Sequence, residues 1–406
     1  MIFGSSFLRL AMFYDLGPLD DFSKTGGIES HIVSLLQEFQ KHGIECLFFT
    51  GSIPNGKSLV EKDSIKLVRL PFPALKSNWI PHNLTFKRQF LFLNSVILSN
   101  IIKKKIFSNI DIFHGHIYTG GMSAYISGRL KKAKVVNTIH GSYYDYWYQL
   151  SNSEIFAGTI RTFEKILSKK LAQFSDLQIH TDRYFADKVR SFGVDPAKLI
   201  SIHNGVNDEV FYPLAEPSKK LIALKDNKPL LMTVRRLVPK NGIKFLIKAC
   251  EIIKKEYDFH LIICGDGPQR KELEFLVREC KLTGDITFIG RISNDDIPEI
   301  LQAADYVIIP SLIEASSISL IEAMLLKKPC IVTRIPGITE ISNESMVEYC
   351  ESANPESLAK GIIRFLDNPK NAQIKAEKAY KYAKKHLTIR NCAKKHINAY
   401  EKLFSK

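Results

Sequence analysis

Two doubly wound α/β domains are what the sequence predicts, and three observations carry the prediction. Short runs rich in β-branched and aromatic residues alternate with longer helical patterns along the whole chain, which is the mark of parallel sheets covered on both faces by helices. The 406 residues are enough to bury two cores. The alternation is broken once, by HNGVNDEVFYPLAEPSKK from His203 to Lys220, where turn formers, two prolines and charge precede a new strand at Lys228.

Taken in order, the strand-like runs of the first half are FLRLAMFYD, IECLFFTG, IKLVRLP, IDIFHGH, AKVVNTIHG, LQIHTD and LISIHNG. Those of the second are KPLLMTVRRL, FHLIICGDG, ITFIGRI, DYVIIPSL and PCIVTRI. The expected division is 1–212, 213–385 and a lysine-rich amphipathic helix over 386–406 that crosses back to the first domain. The opening MIFGSSFLRLAMFYD has no basic segment ahead of its apolar run and reads as a first strand, not a secretory leader. The apolar run Phe90–Ile102 is broken by Asn94, Ser95, Ser99 and Asn100, too short and polar to span a bilayer.

The formal charge of +15 divides almost evenly between the halves, so neither is a dedicated basic domain. Without a recognised motif or a concentrated patch, charge alone does not point to nucleic acid. Seven scattered cysteines without a C-x-x-C pair read as reduced core thiols of a cytosolic protein.

Open parallel sheets bind ligands beyond the carboxyl ends of their strands, so residues just after a strand carry the functional information. In PSLIEASSISLIEAMLLKKP, Glu314 falls in the loop after the strand DYVIIPSL, and Glu322 lies in the helix that follows. Ser319 and Glu322 form S-x-x-E, which a capping box explains; Glu314 has no such explanation. A functional reading covers both: amides around Ser317, Ile318 and Ser319 at a helix N-terminus hold a phosphate, while the glutamates accept from hydroxyls. A phosphorylated sugar satisfies both halves.

TGGIESH opens a helix after the first strand, with Gly26 and Gly27 allowing close backbone approach. It lacks both the dinucleotide fingerprint and the G-K-[ST] of a P-loop. His114 and His116 share one strand face without an acidic or Cys partner, and read as satisfied structural histidines. His140 directly follows a strand. Arg235, Arg236 and Lys240 follow the first strand of the second domain, where guanidinium groups can clamp a diphosphate. No D-x-D triplet stands at a strand end, so no divalent metal is expected.

The E-x7-E spacing from Glu314 to Glu322, together with GGIESH, DIFHGH, VVNTIHG, HNGVN, TVRRLVPKNGI, CGDGP and ITFIGRI in that order, resembles the retaining glycosyltransferases of family 4. The resemblance implies a GT-B fold, with two Rossmann-like domains facing a central cleft, acceptor bound by the first and nucleotide-sugar donor by the second. It places Gly27 against the diphosphate or the acceptor, and His140 against the transferred sugar. Arg236 and Lys240 would stabilise the leaving diphosphate, Glu314 would hold sugar hydroxyls and Glu322 the ribose. The base would rest on backbone near Arg291 and Ile292, with Gly265 and Gly267 clearing space.

Arg235 stands where the family has a glycine, and Asn241 where it has a lysine. The acceptor would be a glycan, a lipid-linked molecule or a small molecule, at the inner face of an anionic membrane contacted through the Lys87, Arg88 and Lys103 to Lys105 helix ends. A silent nucleotide-sugar binding protein and a sugar-nucleotide epimerase of the same fold remain as alternatives.

Overall fold

The computed structural model describes residues 8–15, 27–52, 57–62, 65–73, 85–102, 105–150, 153–213, 217–222 and 228–405. They form two compact units, one of 1–203 with 392–406 and one of 204–391. The division thus falls between His203 and Asn204, at the start of the HNGVNDEVFYPLAEPSKK stretch and not after it. Asn204 onward belongs to the second unit, where Ser218 donates its amide to Glu299 O at 3.0 Å.

The first unit is built on β1 (Arg9–Phe13), β2 (Glu45–Ser52), β3 (Leu59–Lys62), β4 (Ile65–Pro73), β5 (Ile112–His116), β6 (Lys134–Ile139), β7 (Leu177–His180) and β8 (Leu199–Ser201). They form one sheet in the order β3-β4-β2-β1-β5-β6-β7-β8. Every pairing is parallel except the β3–β4 hairpin. The strand β3 is not expected from the sequence, since its LVEK carries two charges in four residues, and it survives as an edge strand through its hairpin. Its helices are α1 (Gly27–Lys41), α2 (Thr85–Ile102), α3 (Ile117–Lys131), α4 (Trp147–Leu150), α5 (Glu154–Phe174) and α6 (Arg183–Ser191).

The second unit holds β9 (Leu230–Val234), β10 (His260–Cys264), β11 (Ile286–Gly290), β12 (Tyr306–Ile309), β13 (Cys330–Thr333) and β14 (Glu348–Cys350), ordered β11-β10-β9-β12-β13-β14. This is the doubly wound order with one reversal, between β9 and β12. Alternation along a strand explains burial on both faces: Leu261 and Ile263 of β10 enter one core and Ile262 and Cys264 the other. Its helices are α7 (Lys219–Ile222), α8 (Ile243–Ile253), α9 (Arg270–Glu279), α10 (Ile297–Ala303), α11 (Ile318–Leu325), α12 (Pro336–Thr339), α13 (Pro355–Asp367) and α14 (Pro369–His386).

The last helix, α15 (Ile389–Phe404), starts in the second unit and from Cys392 onward belongs to the first. There Tyr400 is fully buried, 5.8 Å from the Phe39 ring, with its hydroxyl 2.6 Å from His114 Nδ1. All seven cysteines are free, and all but Cys280 are buried. No helix among the described residues is long and apolar enough to cross a membrane.

Candidate active site

In the second unit the sheet reverses between β9 and β12, and the residues just past those strands meet. Arg235, one residue beyond β9, is buried with its side chain 7% exposed and pairs through Nη2 with Glu314 Oε1. The same Nη2 lies 2.7 Å from Ser311 Oγ and 3.0 Å from Asn241 Oδ1, and donates to them. Asn241 fixes this arrangement from its other end, since its Nδ2 donates to Arg236 O at 2.7 Å. Ser311 Oγ in turn donates to Glu314 Oε1 at 3.2 Å. The contacts of Glu314 to Arg235 and Ser311 thus both fall on Oε1.

This neighbourhood is rich in cations. Burial lowers Arg235 to about 10, opposed by the charge of Glu322. Burial, together with the charges of Arg235 and Arg236, lowers Lys240 to about 8. Arg235 Nε is buried with no hydrogen-bond partner among the described residues. An anion placed here relieves the crowding of like charge.

The helix α11 begins at Ile318, with Ser317 at its cap position and no side-chain cap bond. The capping box expected of Ser319 and Glu322 is therefore not formed. Ser319 already lies inside the first turn, and its hydroxyl donates instead to Val234 O at 3.3 Å, tying the helix start to β9. Glu322 is buried on that helix, and Ser317 Oγ is buried without a hydrogen-bond partner among the described residues. The helix N-terminus, with its polar buried rim, is thus held at the end of β9, next in the chain to Arg235.

Arg291 and Ile292 follow β11 directly, with Ile292 packed on the core. Gly265, at φ +133°, donates its amide to Gly290 O at 2.7 Å, and a Cβ there would collide with Arg235 O. Glycine is required for that approach.

Two residues that hold the glutamate loop had no role assigned from sequence. Asn204 donates its amide to Ser316 Oγ and its Nδ2 to Ser316 O, both at 3.1 Å. At Gly337 a Cβ would collide with the carbonyls of Glu314 and Ala315. The signals were present, as the Asn of HNGVN and the Gly after Pro336, but each acts on a segment far away in the chain.

In the first unit the sheet reverses between β1 and β5. His140 follows β6, and its Nε2 lies 2.8 Å from Nδ1 of His116 at the end of β5. His31, one turn into α1 from Gly27, meets the His140 ring edge-on at 5.7 Å. Gly26 lies outside the described residues. His114 is satisfied on both nitrogens, by Tyr400 and by Thr138 Oγ1 at 2.7 Å, which fits a structural histidine. His116 is more than that, because it touches His140.

Burial, and then the neighbouring histidines, push His114 and His116 well below the usual histidine range, so both are neutral. His116 Nε2 has no partner among the described residues. One N–H is shared between His116 Nδ1 and His140 Nε2, and this bond fixes the ring of His140 against His116. Among the described residues no three His, Cys, Asp or Glu side chains converge in a way that could hold a metal ion.

The loop after His140 is fastened by Glu164, a buried carboxylate on α5. It accepts from Ser142 Oγ at 2.7 Å, Trp147 Nε1 at 2.6 Å and Tyr118 OH at 2.9 Å.

Comparison with known proteins agrees with this layout. The model for Glycosyltransferase Family 4 matches residues 25–210, and the model for Glycosyl transferases group 1 matches residues 215–386. The chain is a family 4 glycosyltransferase.

Relatives of this glycosyltransferase include an uncharacterised glycosyltransferase of Methanocaldococcus jannaschii, 25% identical over 93% of this chain and 94% of that protein. The UDP-Gal:alpha-D-GlcNAc-diphosphoundecaprenol alpha-1,3-galactosyltransferase of Escherichia coli is 29% identical over 67% of this chain and 70% of that one. In fold, the glycosyltransferase is similar to sucrose-phosphate synthase from Thermosynechococcus elongatus, with TM-score 0.82 and 20% identity over 98% of this chain and 99% of that one. It is also similar to Anabaena HepE in complex with UDP and glucose, with TM-score 0.72 and 16% identity over 97% and 99%. The fold is GT-B.

Proposed function

We propose that this glycosyltransferase moves a sugar from a nucleotide diphosphate to an acceptor hydroxyl with retention at the anomeric carbon and without a metal. The observation that carries the reading is the set of cations Arg235, Arg236 and Lys240 gathered with Glu314 and Glu322 beside the N-terminus of α11, at the reversal of the second sheet. Cations and helix amides suit a diphosphate; carboxylates suit sugar hydroxyls.

In this mechanism the bond from the anomeric carbon to the diphosphate breaks while the acceptor oxygen bonds on the same face. The acceptor proton passes to the departing diphosphate oxygen. Arg236 and Lys240 stabilise the leaving charge, with amides of Ser317, Ile318 and Ser319 on phosphate. Glu314 holds sugar hydroxyls through Oε2 and Glu322 holds the ribose, while the base lies against backbone at Arg291 and Ile292. His140 meets the transferred sugar and Gly27 lies by the diphosphate or acceptor. These roles follow the family pattern.

Arg235 and Asn241 depart from that pattern together. The guanidinium lies 3.0 Å from Asn241 Oδ1, close to where a lysine at 241 would carry its charge. Arg235 thus supplies the cation that Asn241 lacks.

HepE was solved with UDP and glucose, and the Escherichia coli relative uses UDP-Gal and a diphosphoundecaprenol-linked acceptor. They support a nucleotide-sugar donor and a glycan or lipid-linked acceptor, in cell-surface polysaccharide or glycoconjugate synthesis at the cytoplasmic side of a membrane. A screen of UDP-, GDP-, ADP- and CDP-sugars for thermal stabilisation and slow hydrolysis tests the reading. At least one donor stabilises and is hydrolysed if it holds. A set of donors that neither binds nor turns over overturns it.

A further inference from the structure

The outer helices of the first unit present a surface that the transfer reaction does not use. Helix α3 packs between α2 and α5, and the three cover one face of the first sheet. The outward side of α2 carries Phe90, Leu98 and Ile101, all more than half exposed. The outward side of α5 carries Ile155, at 85% exposure, with Phe163 and Ile166.

Helix α5 buries Leu171, Ala157 and Ala172 together with Glu164 and Ser168, and still leaves five large apolar residues, Ile155, Phe156, Phe163, Ile166 and Phe174, exposed. An exposed apolar area of this kind marks an interaction surface. Beside it an open hollow of ≈ 820 Å³ is walled by Tyr144, Tyr148 and Arg161 among others. Tyr148 is half exposed there, and tyrosine is a residue of bilayer interfaces.

Charge selects the occupant. Lys165 and Lys170 on α5 and Arg129 on α3 are exposed, and Lys169 is half-buried beside them. Helices α2 and α3 contain no acidic residue. On α5 there are two, Glu154 at its first position and the buried Glu164. A second copy of this chain docking here by two-fold symmetry would set this cationic face against itself.

We infer that the α2–α3–α5 face docks the protein on an anionic lipid bilayer, with the apolar side chains entering the headgroup boundary and the lysines on lipid phosphates. The expectation of a membrane contact confined to the ends of the α2 helix is thereby widened. Lys103 and Lys104, and the side chains of Lys87 and Arg88, lie outside the described residues. The inference deepens the lipid-linked acceptor reading above, on which its biological purpose rests, while the surface itself is testable alone.

The test is co-sedimentation of the full chain with phosphatidylcholine vesicles, with and without phosphatidylglycerol, in the absence of any sugar donor. Binding is expected only with phosphatidylglycerol and is weakened by salt. Lys169→Glu with Lys170→Glu is expected to lower the bound partition coefficient by about thirtyfold or more, each lysine near the surface counting for about fivefold. Phe163→Ser with Ile166→Ser, which removes only exposed side chains, is expected to lower it at unchanged melting temperature.

No binding to phosphatidylglycerol vesicles overturns the inference. So does binding that both double variants retain, or self-association through this face without vesicle binding. A chain that transfers sugar but ignores vesicles removes this inference and leaves the proposed function. One that binds vesicles but no nucleotide sugar does the reverse.

Discussion

Replacing Arg235 and Asn241, singly and together, asks whether the two departures from the family pattern compensate each other. Arg235→Gly removes a guanidinium whose Nη2 serves Glu314, Ser311 and Asn241, and leaves Glu314, 12% exposed, without its cation. Stranding a buried partner costs about 3–5 kcal/mol, and the remaining solvent access of Glu314 sets the expected loss near the lower end, about 3 kcal/mol. For a unit of this size that lowers the melting temperature by about 6–12 °C. Donor affinity falls by about ten- to a hundredfold, the value of one charge-assisted hydrogen bond.

Asn241→Lys alone brings a second cation against the guanidinium, 3.0 Å from the present Oδ1, and destabilises by about 1–2 kcal/mol. In the double variant the new lysine pairs with Glu314, and both losses are largely recovered. The expected coupling energy is at least about 1.5 kcal/mol. Thermal melts and donor titration by calorimetry measure it. Effects that add within about 0.5 kcal/mol, or an Arg235→Gly variant with undiminished donor affinity, would show that Arg235 does not stand in for a lysine at 241.

The buried histidines make stability depend on pH. Burial lowers His180 to about 3 and His396 to about 4, so the unfolded chain binds protons that the folded one does not. Stability is full above about pH 6.5 and falls as pH drops toward 4, by about 1.4 kcal/mol per histidine at pH 5.5; urea melts at pH 7.5 and 5.5 that coincide would contradict this. In the proposed reaction His116 positions His140 through their 2.8 Å contact. His116→Phe is then expected to lower transfer rate about tenfold or more at little-changed donor affinity, while His116→Asn, whose amide can hydrogen-bond to His140 in its place, recovers part of it; equal rates in both variants would sink that role. Transfer is also expected to persist in excess EDTA, and loss of activity restored by a divalent ion would overturn the metal-free mechanism.

How much was legible in the sequence depends on the range of the interaction. Strands of strong β propensity stood out because burial on both faces makes them continuous apolar runs, as in LLMTV and HLIIC. The strands LVEK and EYC did not, being short, charged and held by neighbours. Glu314 stands out in the sequence as a loop carboxylate without a local explanation, but its pairing with Arg235 joins the ends of β9 and β12 and leaves no local trace. The capping-box reading of Ser319 fails because S-x-x-E describes a cap only if the helix starts after the Ser, and α11 starts one residue before it, at Ile318 with Ser317 in the cap position. The contact of His116 with His140 needed the register of β5 beside β6, where His116 lies opposite Thr138.

In the proposed mechanism, donor chemistry is carried by the residues at the reversal of the second sheet. Release of nucleotide diphosphate from the stabilising donor decides this when compared for the unmodified chain, Arg236→Ala and Glu314→Ala, each checked for intact folding by its melt. Slow release by the unmodified chain and a loss of about one to two decades in each variant are expected. Release at an unchanged rate by both variants, or none by the unmodified chain with any nucleotide sugar, would contradict it.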